Sequence, residues 1–157
     1  MTATVRDVVA ALEAACPPAL AASWDAVGLV CGDPTEPVHR VLIAVDPVAE
    51  TVAEALEPDA QLLVTHHLLL LRGVHGVPAD DPKGGLVHRL GAGNPLLGAA
   101  NAAGVDVAHW ASEHPWCAQA VTVLTAALGS TVDVHLSYRR TDPWTIGSAQ
   151  RPGRLPR

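Results

Sequence analysis

Two adjacent histidines, His66 and His67, close the apolar run Leu62-Leu63-Val64-Thr65. Side chains alternate across a strand, so a histidine pair inside one would send its rings to opposite faces. Where the strand gives way to a loop, both rings can turn into one cleft. Neutral imidazole is the commonest protein ligand for a transition metal. A bare His-His pair is more often a partly buried strand cap, so a metal reading needs further ligands. The chain offers them in His109-Trp110-Ala111-Ser112-Glu113. A histidine and a glutamate four apart lie one above the other on a helix. The preferred layout places His109 at the end of a strand and Ser112 as the cap of a helix starting at Glu113. Either layout aims the imidazole and the carboxylate at the same point.

Other candidates carry less chemistry. Asp46 and Asp106 are carboxylates that read as strand-end or turn residues. Asp25 follows a tryptophan in a turn, where an aspartate usually bonds to its own main chain. Lys83-Gly84-Gly85 begins a helix, but the segment lacks P-loop spacing and reads as a turn. His39, His75, His88, His114 and His135 have no partner pattern and read as surface or satisfied structural residues. Ser112 reads as a cap, which leaves a serine nucleophile without support.

Alternating helices and strands must position these groups. Thr4, with Asp7 three residues on, predicts a first helix that presents Val5, Val8, Val9 and Leu12 on one face and ends at Pro17-Pro18. Trp24–Gly32 reads as a turn and a short extended segment. Val41–Asp46 is a continuous apolar run, as expected of a strand covered on both faces. A helix around Val48–Leu56 leads to the strand Leu62–Thr65, a strand–helix–strand unit that predicts parallel pairing. Arg72–Pro82 reads as a loop, followed by helical stretches at Gly85–Leu90 and, capped by Asn94, at Pro95–Ala103. Val105–Ala108 is a candidate strand, Glu113–Leu128 a helix, and Val132–Leu136 a last strand. In an open parallel sheet, ligands bind outside the carboxyl ends of the strands. Asp46, His66, His67 and His109 all fall at such ends. The expected architecture is α/β, a three-layer α-β-α domain with a mixed, largely parallel sheet.

Composition narrows the function classes. At 157 residues the chain is about one domain long. Its net charge of −6 argues against a nucleic-acid partner, which requires a basic face. No apolar run approaches the roughly 20 residues of a membrane span, and the start shows no export signal. The three cysteines, Cys16, Cys31 and Cys117, have neither CxxC nor zinc-finger spacing and suit buried thiols in a reducing cytoplasm. Residues 1–145 are expected to form the domain, with 146–157 a disordered basic tail.

Five segments in fixed order then carry a resemblance. They are Trp24-Asp25-x-x-Gly28-Leu29-x-x-Gly32, Val64-Thr65-His66-His67-x-Leu69-Leu70, Pro82-Lys83-Gly84, His109-Trp110-Ala111-Ser112-Glu113-x-Pro115-Trp116-Cys117, and Arg140-Thr141-Asp142-Pro143-Trp144. Together they resemble the NIF-three-like family, whose members are commonly labelled GTP cyclohydrolase 1 type 2 homologues. The resemblance implies an α/β protein with a site for two divalent metal ions (Zn, Fe, Mn, Co or Ni) and a homohexameric assembly. By match of motif, His66 and His67 look like ligands to separate ions. His109 looks like a further ligand, and Glu113 like the bridging carboxylate and the catalytic residue. Two cations about 3.5–4 Å apart repel, and a shared carboxylate relieves that repulsion. A water between them would ionise near neutral pH and attack an electrophilic centre of a small-molecule substrate.

The departures point the other way. The family pattern has a His-Thr-Asn-x-x-Asp-like segment after the Pro-Lys-Gly helix, and its aspartate is another ligand. Here the chain after Gly91 runs Ala-Gly-Asn-Pro-Leu-Leu-Gly. Family members are longer, and this chain resembles the two ends of their fold joined at residues 90–105. Two readings stand: a two-metal hydrolase, and a non-catalytic or degenerate metal-binding or assembly protein of the same family.

Overall fold

Thr4 begins the first helix as the sequence predicts. The computed structural model describes residues 2–57, 59–70, 72–93, 96–99 and 109–142, with the main chain alone at 92–93, 96–99, 109 and 111–112. Helix α1 spans Val5–Ala15, and Thr4 and Asp7 form a reciprocal capping box at its start. The Thr4 N–H donates to Asp7 Oδ2 at 2.8 Å, and the Asp7 N–H donates to Thr4 Oγ1 at 3.4 Å. Val5, Val8 and Leu12 fall on one face at helical spacing and are buried.

The strands are β1 (Gly28–Cys31), β2 (Arg40–Ala44), β3 (Leu62–Thr65), β4 (Leu96–Ala99) and β5 (Asp133–Leu136). Helices α2 (Ala49–Leu56), α3 (Pro82–Gly93) and α4 (His109–Leu128) lie between them. One sheet orders the strands β1-β4-β3-β2-β5. β2, β3, β4 and β5 run parallel, and β1 joins antiparallel at the edge. Gly28 opens β1 at φ +119, a conformation that side chains resist, which explains a glycine at that place in the motif.

The two central strands β2 and β3 are buried nearly throughout, as continuous apolar runs require. Their side chains alternate between two cores. Val41, Ile43, Leu62 and Val64 pack with α1 and with Cys117, Ala120 and Leu124 of α4. Leu42, Ala44 and Leu63 pack with Val52 and Ala55 of α2 and with Leu90 of α3. The result is three layers, helix on sheet on helix. Each fully buried valine, leucine or isoleucine contributes roughly 1.5–3 kcal/mol relative to exposure. No helix among the described residues is long and apolar enough to cross a membrane.

Two sequence expectations are corrected. The segment expected as a helix over Pro95–Ala103 contains β4 at Leu96–Ala99, parallel to β3 and antiparallel to β1. A four-residue apolar run has no periodicity of its own, and the slot between β1 and β3 pairs its main chain on both sides. Helix α4 starts at His109, four residues before Glu113, so Ser112 lies inside the helix and not at its start. The candidate strand Val105–Ala108, Asp106 and the tail at 146–157 lie outside the described residues.

Candidate metal centre

The carboxyl edge of the parallel sheet brings together three of the four predicted residues, His66, His67 and Glu113. Beyond Thr65 the ladder to β2 continues, with the His66 N–H donating to Ala44 O at 3.1 Å and the His67 N–H to Val45 O at 3.0 Å. The Thr65 hydroxyl then donates to His67 O at 2.6 Å and closes the turn. This local fold brings both rings together, edge to face, with centroids 4.9 Å apart and planes at 81°. His66 is buried at 3% exposure, and the Trp116 ring packs edge-on against it at 5.1 Å. His67 is half-buried.

Glu113 arrives from α4. Its Oε2 lies 3.2 Å from His67 Nε2 and 3.9 Å from His66 Nδ1. One ligand atom from each of His66, His67 and Glu113 falls within 4.8 Å of the others. Donor atoms around a tetrahedral ion at about 2.0–2.1 Å stand roughly 3.3 Å apart. Of the observed separations, the 3.2 Å between Glu113 and His67 matches that value and the others are wider. Two imidazoles and a carboxylate gathered this closely could hold a divalent ion, and a carboxylate facing both rings also suits a bridging role. The His109 side chain lies outside the described residues, although its main chain begins α4 one turn before Glu113.

The start of α4 is held by a segment remote in sequence. Both carboxylate oxygens of Asp142 lie 3.1 Å from the Trp110 N–H that donates to them, and the Trp110 indole N–H donates to Arg139 O at 2.8 Å. An aspartate at a helix N-terminus satisfies open N–H groups and complements the helix dipole. That cap explains why α4 reaches back to His109. No local sequence signal marks it, although Thr141-Asp142 belongs to the closing motif.

Asp46 takes a role that the sequence left open. Its Oδ1 accepts from His67 Nδ1 at 2.8 Å, and its Oδ2 accepts from the Thr141 hydroxyl. The two imidazole nitrogens point away from each other, so a carboxylate on Nδ1 cannot reach an ion held on Nε2. Asp46 thus stands behind the ligand and does not replace a missing one. Its hydrogen bond, with smaller help from Glu113 and against the effect of burial, raises the pKa of His67 above the ordinary 6.5.

The remaining candidates settle into structural roles. Asp25 Oδ1 accepts the Ala26 N–H at 2.9 Å, the local bond expected of it. Asp81 Oδ1 accepts the Lys83 and Gly84 N–H groups, both at 2.9 Å, so an anionic side chain occupies the α3 N-terminus where a phosphate would sit. His88 Nε2 pairs with Val77 O at 2.9 Å, and His135 Nε2 with Asp133 Oδ2 at 2.8 Å. His114 stacks on Trp110 with centroids 4.3 Å apart. His39 and His75 are exposed.

Comparison with known proteins places the chain in a family. A family model described as Duf34/NIF3 (NGG1p interacting factor 3) matches residues 3–100, which include His66 and His67 and end before Glu113. The GTP cyclohydrolase 1 type 2 homolog of Mycobacterium tuberculosis is 53% identical over 90 residues, covering 57% of this chain and 23% of that protein. The Streptomyces coelicolor protein of the same description is 56% identical over 86 residues, covering 55% of this chain and 30% of that one. The chain thus spans under a third of the length of these relatives. Among solved structures, a Bacillus cereus protein related to NIF3 superposes with a TM-score of 0.61 at 27% identity, over 64% of this chain and 28% of that one. A Staphylococcus aureus hypothetical protein gives a TM-score of 0.61 at 32% identity, over 64% and 33%. With more than half of its residues matched by the family model, the chain belongs to the Duf34/NIF3 family.

Proposed function

We propose that this chain is a divalent-metal-binding protein whose ligands are His66, His67 and Glu113, joined by His109, and that it uses two such ions for hydrolysis. The observation that carries the reading is the convergence of the His66, His67 and Glu113 ligand atoms within 4.8 Å at the carboxyl edge of the sheet. A bound divalent ion supplies Lewis acidity and brings the pKa of water toward neutrality. Of the chain's own groups, His66 and His67 offer neutral nitrogen donors, and Glu113 offers the charge that offsets two cations. The packing of Trp116 on His66 keeps one side of the site apolar. A small polar molecule is the substrate class such a site serves, and the GTP cyclohydrolase label of the relatives makes a nucleotide the first to try. A homo-oligomer, by family resemblance a hexamer, belongs to the same proposal.

A second reading has a specific observation in its favour. Glu113 is the single carboxylate that joins the two histidines among the described residues, because Asp46 is turned to the far side of His67. A site short of anionic ligands suits metal binding without turnover. Elemental analysis of the purified chain for Mn, Fe, Co, Ni and Zn, beside Glu113→Ala and His67→Ala, decides the first point. Stoichiometric metal in the wild type, lost in both variants, is the expected result, and equal metal in all three refutes the site. Metal-loaded protein that leaves nucleoside triphosphates, esters and phosphodiesters intact would favour the second reading.

A further inference from the structure

Four side chains form a line along the carboxyl edge of the sheet. Glu113 Oε2 faces His67 Nε2 at 3.2 Å, and His67 Nδ1 faces Asp46 Oδ1 at 2.8 Å. Asp46 Oδ2 in turn accepts from the Thr141 hydroxyl. The line follows the strand order. His67 follows β3, Asp46 follows β2 and Thr141 follows β5, which are neighbours and run parallel. Parallel neighbours end on the same edge, so residues far apart in sequence meet there by topology alone.

The main chain of Asp46 is fixed as well. The buried Thr51 hydroxyl donates to Asp46 O at 2.6 Å and accepts the Val48 N–H at 3.0 Å, which sets the turn from β2 into α2. With its carbonyl and both carboxylate oxygens engaged, Asp46 has a defined orientation. A carboxylate held on Nδ1 keeps the proton of a neutral imidazole on that nitrogen and leaves the Nε2 lone pair toward the cluster. A ring rotated by half a turn would lose this bond.

We propose that Asp46 and Thr141 are positioning residues of this site: Thr141 orients the Asp46 carboxylate, and Asp46 holds the His67 ring with Nε2 presented toward Glu113. The inference rests on reading His66, His67 and Glu113 as metal ligands. Its core, the orientation of a ring, can be observed without metal. It also gives the Arg140-Thr141-Asp142 segment two anchors, one on Asp46 behind His67 and one on the helix that carries Glu113.

The test compares the full wild-type chain with Asp46→Asn, Thr141→Val and Thr141→Ser. Ring-nitrogen NMR of the metal-free proteins in alkaline buffer reports which His67 nitrogen carries the proton. Titration with Zn²⁺ against a chromophoric chelator reports affinity. The wild type is expected to carry the proton on Nδ1. Asp46→Asn should redistribute it and weaken zinc binding by about 10–100-fold, the usual effect of removing such a partner. Thr141→Val should shift both readouts in the same direction by less, and Thr141→Ser should restore them. Should Asp46→Asn fail to fold, the two Thr141 variants carry the decision. A wild-type ring protonated on Nε2 overturns the proposal, as do variants that match wild type in tautomer and affinity. A wild type that binds no zinc, yet whose His67 tautomer still follows Asp46 and Thr141, sustains the positioning and refutes the metal site.

Discussion

Two glycines of α3 should respond in opposite directions to the same substitution. Alanine in a helix interior is favoured over glycine by up to about 1 kcal/mol, so propensity alone predicts that Gly84→Ala and Gly91→Ala both stabilise. The surroundings separate them. A Cβ on Gly84 would stand 2.9 Å from the Val77 carbonyl carbon and 3.0 Å from that of Pro78, and closer still to the Pro78 oxygen. These are main-chain atoms, so nothing can rotate away. The Pro78 oxygen also accepts the Asp81 N–H at 3.2 Å, and Asp81 caps the helix. Moving that loop therefore disturbs the cap as well as the packing. Overpacking of this kind costs about 1–3 kcal/mol, and each strained hydrogen bond adds about 0.5–1.5 kcal/mol. The loss outweighs the propensity gain, giving a net destabilisation of roughly 2 kcal/mol. At Gly91 the added methyl would meet nothing within 4 Å, and the gain of about 0.5–1 kcal/mol survives. For a domain near this size 1 kcal/mol moves Tm by roughly 4 °C. Thermal unfolding followed by circular dichroism should place Gly84→Ala about 8 °C below wild type and Gly91→Ala about 3 °C above. A Gly84→Ala chain as stable as Gly91→Ala would refute the close approach of the 77–78 loop to α3.

Asp142→Ala should destabilise the chain by about 1–2 kcal/mol in urea unfolding, through loss of a cap and of a charge at the helix start. Asp142→Asn should retain most of the capping part, and equal losses in the two variants would deny the capping hydrogen bond a role of its own. Because Asp46 raises the His67 pKa above 6.5 in the fold, the metal-free chain draws stability from that pair fully below pH 6.5 and loses it as pH rises through the folded value. Metal must displace that proton, so zinc affinity should climb by about tenfold per pH unit below the folded pKa and level off above it, and a flat titration would contradict this. Burial pushes the Cys117 thiol up to about 12, whereas Cys16 is exposed. Mass spectrometry after brief treatment with a thiol reagent at pH 8 should find Cys16 modified and Cys117 intact, and rapid labelling of Cys117 would contradict its burial.

Local patterns were reliable wherever one segment carried enough periodicity to name its own partner face. α1 shows its cap and its buried face in Thr4, Asp7, Val5, Val8 and Leu12. β2 and β3 show their double burial as unbroken apolar runs, and the intervening helix implies their parallel pairing. Leu96–Ala99 was misread because Asn94-Pro95 matches a helix start, while four apolar residues cannot report which neighbours await them. The start of α4 was misread because Ser112 is a competent local cap. The cap in use comes from Asp142, 32 residues beyond Trp110, and no window of sequence contains both.

The site divides along the same line. Residue type and strand-end placement identified His66, His67 and Glu113 as a potential ligand group, since imidazole and carboxylate chemistry is intrinsic to the side chains. Their approach to within 4.8 Å depends on α4 packing across the sheet, a convergence that strand-end placement and family resemblance suggest and only the fold fixes. The role of Asp46 was not legible at all. As a strand-end aspartate it reads as a turn or strand-end residue, with a substitute metal ligand the less favoured alternative. Only the parallel adjacency of β3, β2 and β5 sets its carboxylate between His67 Nδ1 and the Thr141 hydroxyl. The sequence by itself determined which groups could bind metal and most of the strands and helices, Leu96–Ala99 excepted, because both follow from side-chain chemistry and short-range periodicity. The tertiary structure alone decided which nitrogen of His67 faces the cluster and where α4 begins, because those depend on contacts between residues that share no local segment.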